Sequence, residues 1–219
     1  NTLVVGAYLG RGETDFASEV EVASLQEDRS TSRTGIFAPG FATTVTSEVD
    51  TASLYFSNIW SVDDRTAITV SGRYDDTDID LEDPIGANPL LDGRHGFSRF
   101  NPAAGVTFKL REDITLYGSY GESARAPTPV ELECASEEAP CSLPNAFLAD
   151  PPLEQVVARS FKAGVRGEAA NGIRWHAGAF QTTNDDDILF QTTGGATANV
   201  GFFDNVGDTR RAGLELSLA

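Results

Sequence analysis

Hydrophobic and polar residues alternate one by one along most of this chain. In residues 100–110 the even positions are mostly aromatic or aliphatic, and the odd positions are small or polar. The same period of two recurs at 67–74, 114–121 and 173–179, and again towards residue 219. Successive side chains of a β-strand point to opposite faces of the sheet, so this period indicates strands that separate two environments. The sequence therefore predicts an all-β chain.

The alternating runs predict about eight antiparallel strands. We place them at approximately 1–22, 48–61, 66–80, 100–110, 114–122, 155–168, 173–188 and 201–219. Several of these runs exceed the ~5–6 residues of a common globular strand. They suit a lipid bilayer, which a tilted strand crosses with about 9–11 residues.

Short and long connections alternate between the predicted strands. Tight polar turns are predicted at 62–65, 111–113 and 169–172. The other connections are long, at about 24–47, 81–99, 123–154 and 189–200. Plain turns at one end and large loops at the other are typical of outer-membrane barrels. We therefore predict an antiparallel, up-and-down transmembrane β-barrel segment of about eight strands.

One face of the predicted sheet is apolar and would contact lipid. Five aromatic residues lie on this face near strand ends, where an aromatic girdle is expected: Trp60, Tyr74, Phe108, Tyr120 and Trp175. The alternative is that they form the core of an ordinary β-sandwich. Pro102 and Arg159 fit a lipid-facing position poorly, because proline cannot donate to the strand ladder and arginine is tolerable only near lipid headgroups.

The opposite face carries charged residues and would line a wet lumen. These inward positions are Arg73, Lys109, Lys162, Arg166, Arg174, His176 and Glu215. Facing lipid, such charges would cost about 2–4 kcal/mol each near the bilayer midplane, whereas water in a lumen hydrates them. Two roles are open for them: docking of a plug domain inside the barrel, or simple solvation of a wide interior.

The charge balance excludes one class of partner. The chain has 33 acidic and 16 basic residues, for a net charge of −17. Binding to duplex nucleic acid requires clustered Lys and Arg, so we expect no nucleic-acid partner.

No apolar run has the length of a transmembrane helix, which is roughly 18 residues or more. The chain has no Met, begins at Asn1 and stops at Ala219 within an alternating run, so we expect an excised piece of a longer protein.

The two cysteines, Cys134 and Cys141, lie in one Pro-rich segment. In an oxidising compartment we expect them to form a disulfide that stabilises the loop by roughly 2–3 kcal/mol. The alternative is a pair of free thiols. Zinc fits poorly, because the spacing is not that of a structural zinc site and no His lies nearby.

The sequence offers no catalytic or cofactor site that we can identify. The chain has two histidines, and His95 lies in a Gly-Arg-His-Gly segment where we expect it to be solvent-exposed. Ser119 lacks the spacing of a nucleophile elbow. The run from Asp76 to Glu82 resembles a calcium loop superficially, but Leu81 occupies the position that needs glycine. We therefore expect neither an enzyme nor a metal site.

Two segments resemble the TonB-dependent receptor family. Residues 116–132, LYGSYGESARAPTPVEL, are similar to the family's aromatic strand followed by an Arg-Ala-Pro-Thr turn and a Glu-Leu pair. The matching positions are Arg125, Ala126, Pro127, Thr128, Glu131 and Leu132. Residues 203–216, FDNVGDTRRAGLEL, resemble the family's Asn-x-Gly segment and the Gly-x-Glu pair after it. The matching positions there are Asn205, Gly207, Gly213 and Glu215.

The resemblance implies a fold and a function. The family's barrel has 22 strands around an N-terminal plug domain, so residues 1–219 would be a partial barrel that lacks the plug and the terminal strands. The implied whole protein resides in the bacterial outer membrane among lipid and lipopolysaccharide. It would import a small-molecule ligand, of the iron-siderophore type or another scarce nutrient, energised by TonB through the missing N-terminal part.

Two other functions are compatible with the pattern of strands. A soluble acidic β-sandwich that binds carbohydrate would seal the apolar face inside and leave the polar face in water. A passive porin-like channel would share the barrel, although the two receptor-like segments argue against it. The sequence does not identify the ligand or the residues that contact it.

Overall fold

A computed structural model of the chain describes residues 1–38, 42–86, 88–142, 147–169, 172–193 and 200–219. Within these residues it contains thirteen strands and one short α-helix, besides a single 3₁₀ turn at Pro89–Leu91. In chain order they are β1 (Thr2–Ser18), β2 (Glu21–Leu25), β3 (Thr31–Phe37), β4 (Thr43–Ser61), β5 (Thr66–Glu82), β6 (Gly93–Arg111), β7 (Ile114–Arg125), α1 (Pro129–Leu132), β8 (Cys141–Ser142), β9 (Val156–Glu168), β10 (Arg174–Asp185), β11 (Ile188–Thr192), β12 (Val200–Asn205) and β13 (Thr209–Leu218). The described residues include no helix that is long and apolar enough to cross a membrane.

Eight long strands form one antiparallel sheet in the order β1-β4-β5-β6-β7-β9-β10-β13. Each of them pairs with the next long strand along the chain, which confirms the predicted meander. The sheet has two free edges, β1 and β13, so the eight strands do not close into a barrel by themselves. Because they form a single layer, the two-sheet sandwich is wrong for the residues that the structure describes.

Short turns and long loops lie at opposite ends of this sheet, as predicted. The turn between β4 and β5 is closed by Asp63, whose carboxylate accepts hydrogen bonds from the N–H groups of Arg65 and Thr66 at 2.8 and 2.7 Å. The third predicted short turn, 169–172, lies partly outside the described residues. We call these two ends the short-turn end and the long-loop end.

Three strands have other bounds than the pattern predicted. The first strand ends at Ser18 and is followed by the separate β2–β3 hairpin, whereas we predicted one strand over 1–22. Strands β4 and β6 begin well before the predicted 48–61 and 100–110. Their extra residues lack an apolar pattern but pair with long neighbouring strands, and Arg94 of β6 forms an ion pair with Asp80 of β5. Cross-strand pairing therefore extends strands that local sequence leaves undefined.

The predicted strands 173–188 and 201–219 are each divided in two. The break in the first falls at Asp186, with φ of 54°, and the break in the second falls at Gly207, with φ of 89°. This left-handed conformation does not continue a strand. As a result β11 and β12 leave the main sheet and join β8 in a separate three-stranded sheet.

Large apolar side chains cover the outer face of the main sheet and have no protein packed over them. Leu54, Phe100 and Phe161 expose 65%, 51% and 57% of their surface. Residues paired directly across two antiparallel strands point to the same face of the sheet. The register therefore places the predicted girdle residues Trp60 and Tyr74 on the outer face. An apolar surface of this extent is typical of a contact with lipid or another apolar partner.

The apolar band ends sharply towards the long-loop end. Along the outer positions of β5, Tyr74 is followed by Asp76, Asp78 and Asp80. On the neighbouring strand, Asp50 pairs with Asp78. The change from aromatic to acidic positions marks the level at which the outer face meets water or polar headgroups.

The long loops pack together over the polar face at the long-loop end. We call the described parts of 83–92, 126–155 and 186–208 the loop cap. The loop cap contains two clusters of buried residues, and both clusters include residues of the main sheet below. The first cluster consists of Ile79, Leu81, Leu132, Leu153, Val156 and Ile188, and the second consists of Val45, Leu91, Cys134, Cys141 and Phe147. Since Ile79 and Leu81 share a face of β5 with Arg73, the loop cap covers the inner side of the sheet.

Candidate functional site

The polar face of the main sheet, here called the inner wall, gathers the predicted lumen residues. The register aligns Lys109, Thr115, Arg166 and His176 in one row across four strands. A second row, closer to the long-loop end, contains Thr107, Tyr117, Gly164, Gly178 and Glu215. The charged residues predicted to point inward therefore share one face.

Tyr117 lies across two glycines of the inner wall. A Cβ at Gly164 or at Gly178 would come within 2.5 Å of the Tyr117 hydroxyl oxygen, so neither position has room for a side chain. The hydroxyl is 2.6 Å from Nε2 of His176, and the two rings stack with centroids 5.7 Å apart. The two glycines therefore leave room for the Tyr117 side chain to lie against the sheet and reach His176.

A cavity of about 670 Å³, lined by both polar and apolar side chains, lies on the inner wall beneath the loop cap. Asp75 organises its floor: it accepts hydrogen bonds from Ser53 at 2.7 Å, Arg73 at 2.6 Å and Asn101 at 3.1 Å. The buried atoms Asn101 Oδ1 and Arg99 Nε have no hydrogen-bond partner among the described residues. Buried polar atoms are normally paired, so this cavity can accept a polar occupant.

The ladder between β6 and β7 is incomplete beside this cavity. Its described pairs end at Ala103↔Gly121, next to Pro102, which has no N–H to donate. Beyond that point side chains join the strands, with Arg99 Nη2 at 2.8 Å from Glu122 Oε2. We predicted that Pro102 would fit a lipid-facing strand poorly because it cannot donate a backbone hydrogen bond. The structure accommodates it, because the ladder between β6 and β7 stops next to Pro102.

Arg159 lies on the outer face, as predicted, but it is not an isolated charge. Its guanidinium pairs with Asp185 and lies 3.8 Å from Glu122. Glu122 also accepts a hydrogen bond from the Tyr120 hydroxyl at 2.5 Å. This network lies on the long-loop side of the Tyr120 and Phe161 rings, whose centroids are 4.6 Å apart with the planes tilted by 40°. Arginine with two carboxylate partners at such a level is compatible with a headgroup position.

The Arg-Ala-Pro-Thr turn is held by one carboxylate. Glu131 accepts two hydrogen bonds from Arg125, at 2.7 and 2.9 Å, and one from the N–H of Thr128 at 2.7 Å. The Thr128 hydroxyl accepts from the N–H of Glu131, which completes a capping box at the start of α1. Burial raises the pKa of Glu131, but the bonds from Arg125 and Thr128 outweigh it and hold the pKa below its usual range.

His95 is largely buried, contrary to our prediction that it is solvent-exposed. Its side chain is 11% exposed, and its Nε2 lies 2.8 and 2.7 Å from the two carboxylate oxygens of Asp150. The carboxylate rests directly over Gly93, where a Cβ would come within 1.7 Å of it. The prediction was wrong because the partner lies in a distant loop that folds back onto β6.

A second buried carboxyl group lies in the loop cap. Glu133 is 3% exposed. Burial raises its pKa to about 7, and the nearby Asp150 adds to the rise. Burial also raises the pKa of Asp150, although the hydrogen bond to His95 opposes that effect. The cap therefore contains two carboxyl groups that resist ionisation together.

The sulfur atoms of Cys134 and Cys141 lie at bonding distance in the loop cap, with their Cα atoms 5.5 Å apart. Both residues are fully buried. The Cα separation is usual for a disulfide. Within the described ranges, no three His, Cys, Asp or Glu side chains come close enough to share a metal ion.

Several residues of this site were not found from the sequence. The sequence around Asp150 and Glu133 does not indicate that they are buried, because their burial depends on how the long loop folds onto the sheet. The same holds for the bridge from Arg99 to Glu122. The capping box was readable, because Thr128-x-x-Glu131 has the spacing that such a box needs.

Comparison with known proteins agrees with this geometry. The sequence profile of the family described as "TonB dependent receptor-like, beta-barrel" matches residues 2–219. No curated protein sequence matches the chain.

Three solved structures illustrate the likeness of fold. The "Copper transporter OprC" has a TM-score of 0.70 at 16% identity, over 99% of this chain and 32% of that one. The ferric yersiniabactin uptake receptor FyuA from Yersinia pestis has a TM-score of 0.67 at 16% identity, over 99% and 29%. The ferric-catecholate import receptor Fiu from K12 E. coli has a TM-score of 0.60 at 13% identity, over 98% and 35%.

The chain thus spans about a third of the length of these receptors. Identities this low show the fold alone, whereas the family profile covers nearly every residue. The apolar outer face and the charged inner wall are those of an outer-membrane barrel wall. The chain belongs to the TonB-dependent receptor family, as part of its outer-membrane β-barrel.

Proposed function

We propose that the full-length protein containing this chain imports a scarce nutrient of the iron-chelate type across the outer membrane, energised through TonB. The observation that carries this proposal is the family match over residues 2–219. Residues 1–219 would then be a partial barrel, and the plug domain, the segment that engages TonB and the terminal strands would belong to the rest of the protein.

The loop cap supports a role in ligand capture. Its buried clusters extend into the strands below, and it lies over the cavity beside Arg73, Arg99 and Asn101. A folded cap above a cavity that contains several polar side chains suits selection of a small molecule, because groups already held in place bind with less loss of entropy. Nutrient specificity would reside here and at the facing tips of the plug.

The two faces suggest the remaining partners. The plug domain would occupy the lumen and contact the inner wall, including Tyr117 and Glu215. The outer face would contact lipid along its apolar band. Above that band, Asp76, Asp78 and Asp80 would lie among the sugars and phosphates of lipopolysaccharide, with divalent ions between the like charges.

The titles of similar structures name different cargoes. They include a copper transporter, a ferric yersiniabactin receptor and a hemophore receptor bound to heme. Ferric compounds are named in four of the titles, which supports the iron-chelate type for the present protein.

Uptake by intact cells tests the proposal. We expect deletion of the full-length protein to impair growth on chelated iron, and plasmid-borne wild type to restore growth and the uptake of radiolabelled iron. Restoration should vanish in a strain without TonB or after the proton-motive force is collapsed. Uptake that persists in de-energised cells would indicate a passive channel and contradict the proposal.

A further inference from the structure

Asp150 fastens the long connection between β7 and β9 to the neighbouring elements. Its two carboxylate oxygens lie 2.8 and 2.7 Å from Nε2 of His95 on β6, and its N–H donates to the carbonyl oxygen of Leu90 at 3.0 Å. Two residues earlier, the carbonyl oxygen of Leu148 accepts from the side chain of Asn88 at 2.9 Å. These contacts join the connection both to β6 and to the loop that precedes β6.

The same connection lies across the inner wall as a lid. We use this name for its described residues, 126–142 and 147–155. Phe147 packs edge-on against Phe16 of β1, with ring centroids 5.0 Å apart, and β1 is the first strand of the sheet. Beneath this part of the loop cap, Val45 and Ser47 of β4 expose only 1% and 5% of their surface. Opening of the lid would therefore expose inward residues of β4.

Glu133 places a second carboxyl group beside Asp150. Its carbonyl oxygen accepts from the N–H of Leu148 at 3.3 Å, and the next residue, Cys134, forms a parallel bridge with Ala149. Glu133 is 3% exposed, and no cation pairs with it within the described ranges. A buried carboxylate without a counter-ion is costly, so burial, with Asp150 nearby, raises the pKa of Glu133 to about 7.

The surrounding elements offer no other charge that balances these two carboxyl groups. Asp150 is the charged group that acts on Glu133, and His95 is the one that acts on Asp150. The other charged side chains on the neighbouring elements are either engaged with their own partners or exposed. The engaged ones are Asp80 with Arg94, Glu131 with Arg125, Asp92 with the N–H of Asp83, and Asp187 with Thr209, and the exposed ones are Glu82 and Asp204.

We propose that His95, Asp150 and Glu133 form a proton-operated clasp that holds the lid closed over the inner wall. With Glu133 protonated, Asp150 keeps its contact with His95 and the lid stays joined to β6. Once Glu133 ionises, two buried carboxylates repel each other with a single imidazole to balance them. The inference concerns access to the inner wall, so it holds for any cargo.

The direction of the pH dependence follows from burial. The closed lid favours the protonated form of Glu133, whose pKa rises from 4.5 to about 7. The stabilisation of the closed lid is therefore complete below the unfolded value and is lost as the pH rises through about 7. Burial of Asp150, which also raises its pKa, acts in the same direction. The lid is held closed in acid and opens more often in alkali.

A thiol beneath the lid measures its opening. Ser47 is buried on β4, and Ser47→Cys exchanges one oxygen for sulfur, so it is a conservative reporter. The full-length protein in detergent, without reductant, reacts with a bulky maleimide. Each rate is divided by that of Ser24→Cys, an exposed position of β2, which corrects for ionisation of the thiol. We expect this ratio to be about tenfold higher at about pH 8.5 than at about pH 5.5.

Three further substitutions in the reporter protein test the clasp itself. Glu133→Gln does not ionise, so the ratio should stay low at both pH values. His95→Ala removes the partner of Asp150, so the ratio should be raised at both. Glu138→Gln, exposed in the same loop, is the matched control and should leave the pH dependence unchanged. Equal β-sheet signals in circular dichroism show that the variants are folded.

Three results would overturn the inference. They are a ratio that does not change with pH in the reporter protein, a pH dependence that persists after Glu133→Gln, and a ratio that His95→Ala leaves unchanged. None of these measurements involves TonB or iron. A failed uptake assay and a failed clasp are therefore distinguishable.

Discussion

Glycine at positions 164 and 178 lets the Tyr117 ring lie against the inner wall and reach His176. Changing Gly164 to Ala would place a methyl group 2.5 Å from both the Tyr117 hydroxyl oxygen and the Ala177 carbonyl oxygen. We expect a loss of about 1–3 kcal/mol in the free energy of unfolding, because overpacking forces neighbouring groups to move. Urea unfolding of the full-length protein in lipid vesicles measures it.

Gly12 provides the control for that substitution. A Cβ there meets nothing within 4 Å, so Gly12→Ala should change the free energy of unfolding by less than about 0.5 kcal/mol. Equal losses for the two variants would show that the contact with Tyr117 does not constrain position 164.

The buried carboxyl groups of the loop cap predict a dependence on pH. The pKa of Glu133 is raised from 4.5 to about 7. Its contribution to cap stability is therefore complete below its unfolded value and is lost as the pH rises through about 7. Asp150, with a raised pKa, acts in the same direction. We expect slower hydrogen exchange in 126–155 at about pH 5.5 than at about pH 8.5, after correction for intrinsic rates.

Glu133→Gln should remove most of this pH dependence, because the amide does not ionise. Glu138→Gln is the matched control, since Glu138 is exposed in the same loop and should leave the dependence intact. Faster exchange at the acidic pH in the wild type would contradict the account of the cap.

At the scale of elements, a covalent bond between Cys134 and Cys141 would stabilise the long connection between β7 and β9. We expect native protein to show no reactive thiol before reduction and two afterwards. Reduction should destabilise the loop by roughly 2–3 kcal/mol, which protease cleavage within it would report. Two thiols that react without reductant would contradict the bridge and the extracytoplasmic location it implies.

Strand order was predictable from the sequence, and strand ends were less so. The period of two defined both faces of β6 from 100 to 110, because lipid and water sort residues by polarity. It missed Gly93 to Arg99, where pairing with β5 sustains the strand. It also missed the loop sheet of β8, β11 and β12, because short strands held by tertiary contacts carry no long alternation.

The candidate site was predictable only in part, for a related reason. The inward charges such as Lys162 and Arg166 follow directly from alternation. His95, Asp150 and Glu133 do not, because their burial depends on how a long loop folds onto the wall. Sequence patterning reports the two sides of a sheet, whereas it does not report which loop covers them.

At the scale of the whole molecule, the exposed apolar band should make the full-length protein depend on detergent. Leu54, Phe100 and Phe161 lie on a face with no protein over it. A surface of this kind aggregates in water unless lipid or detergent covers it. We expect the folded protein to be monodisperse in detergent and to precipitate on its removal, as measured by light scattering. Monodisperse protein in plain buffer would contradict a membrane location.

The central claim is that the outer face contacts lipid and the inner wall contacts water. Val106 and Thr107 are neighbours on β6 that point to opposite faces. The decisive measurement is the free energy of unfolding in lipid vesicles for Val106→Arg and Thr107→Arg in the full-length protein. We predict a loss of about 2–4 kcal/mol for Val106→Arg near the bilayer midplane, and a much smaller loss for Thr107→Arg, which water can hydrate. Equal losses, or a larger loss at Thr107, would contradict the assignment of the two faces.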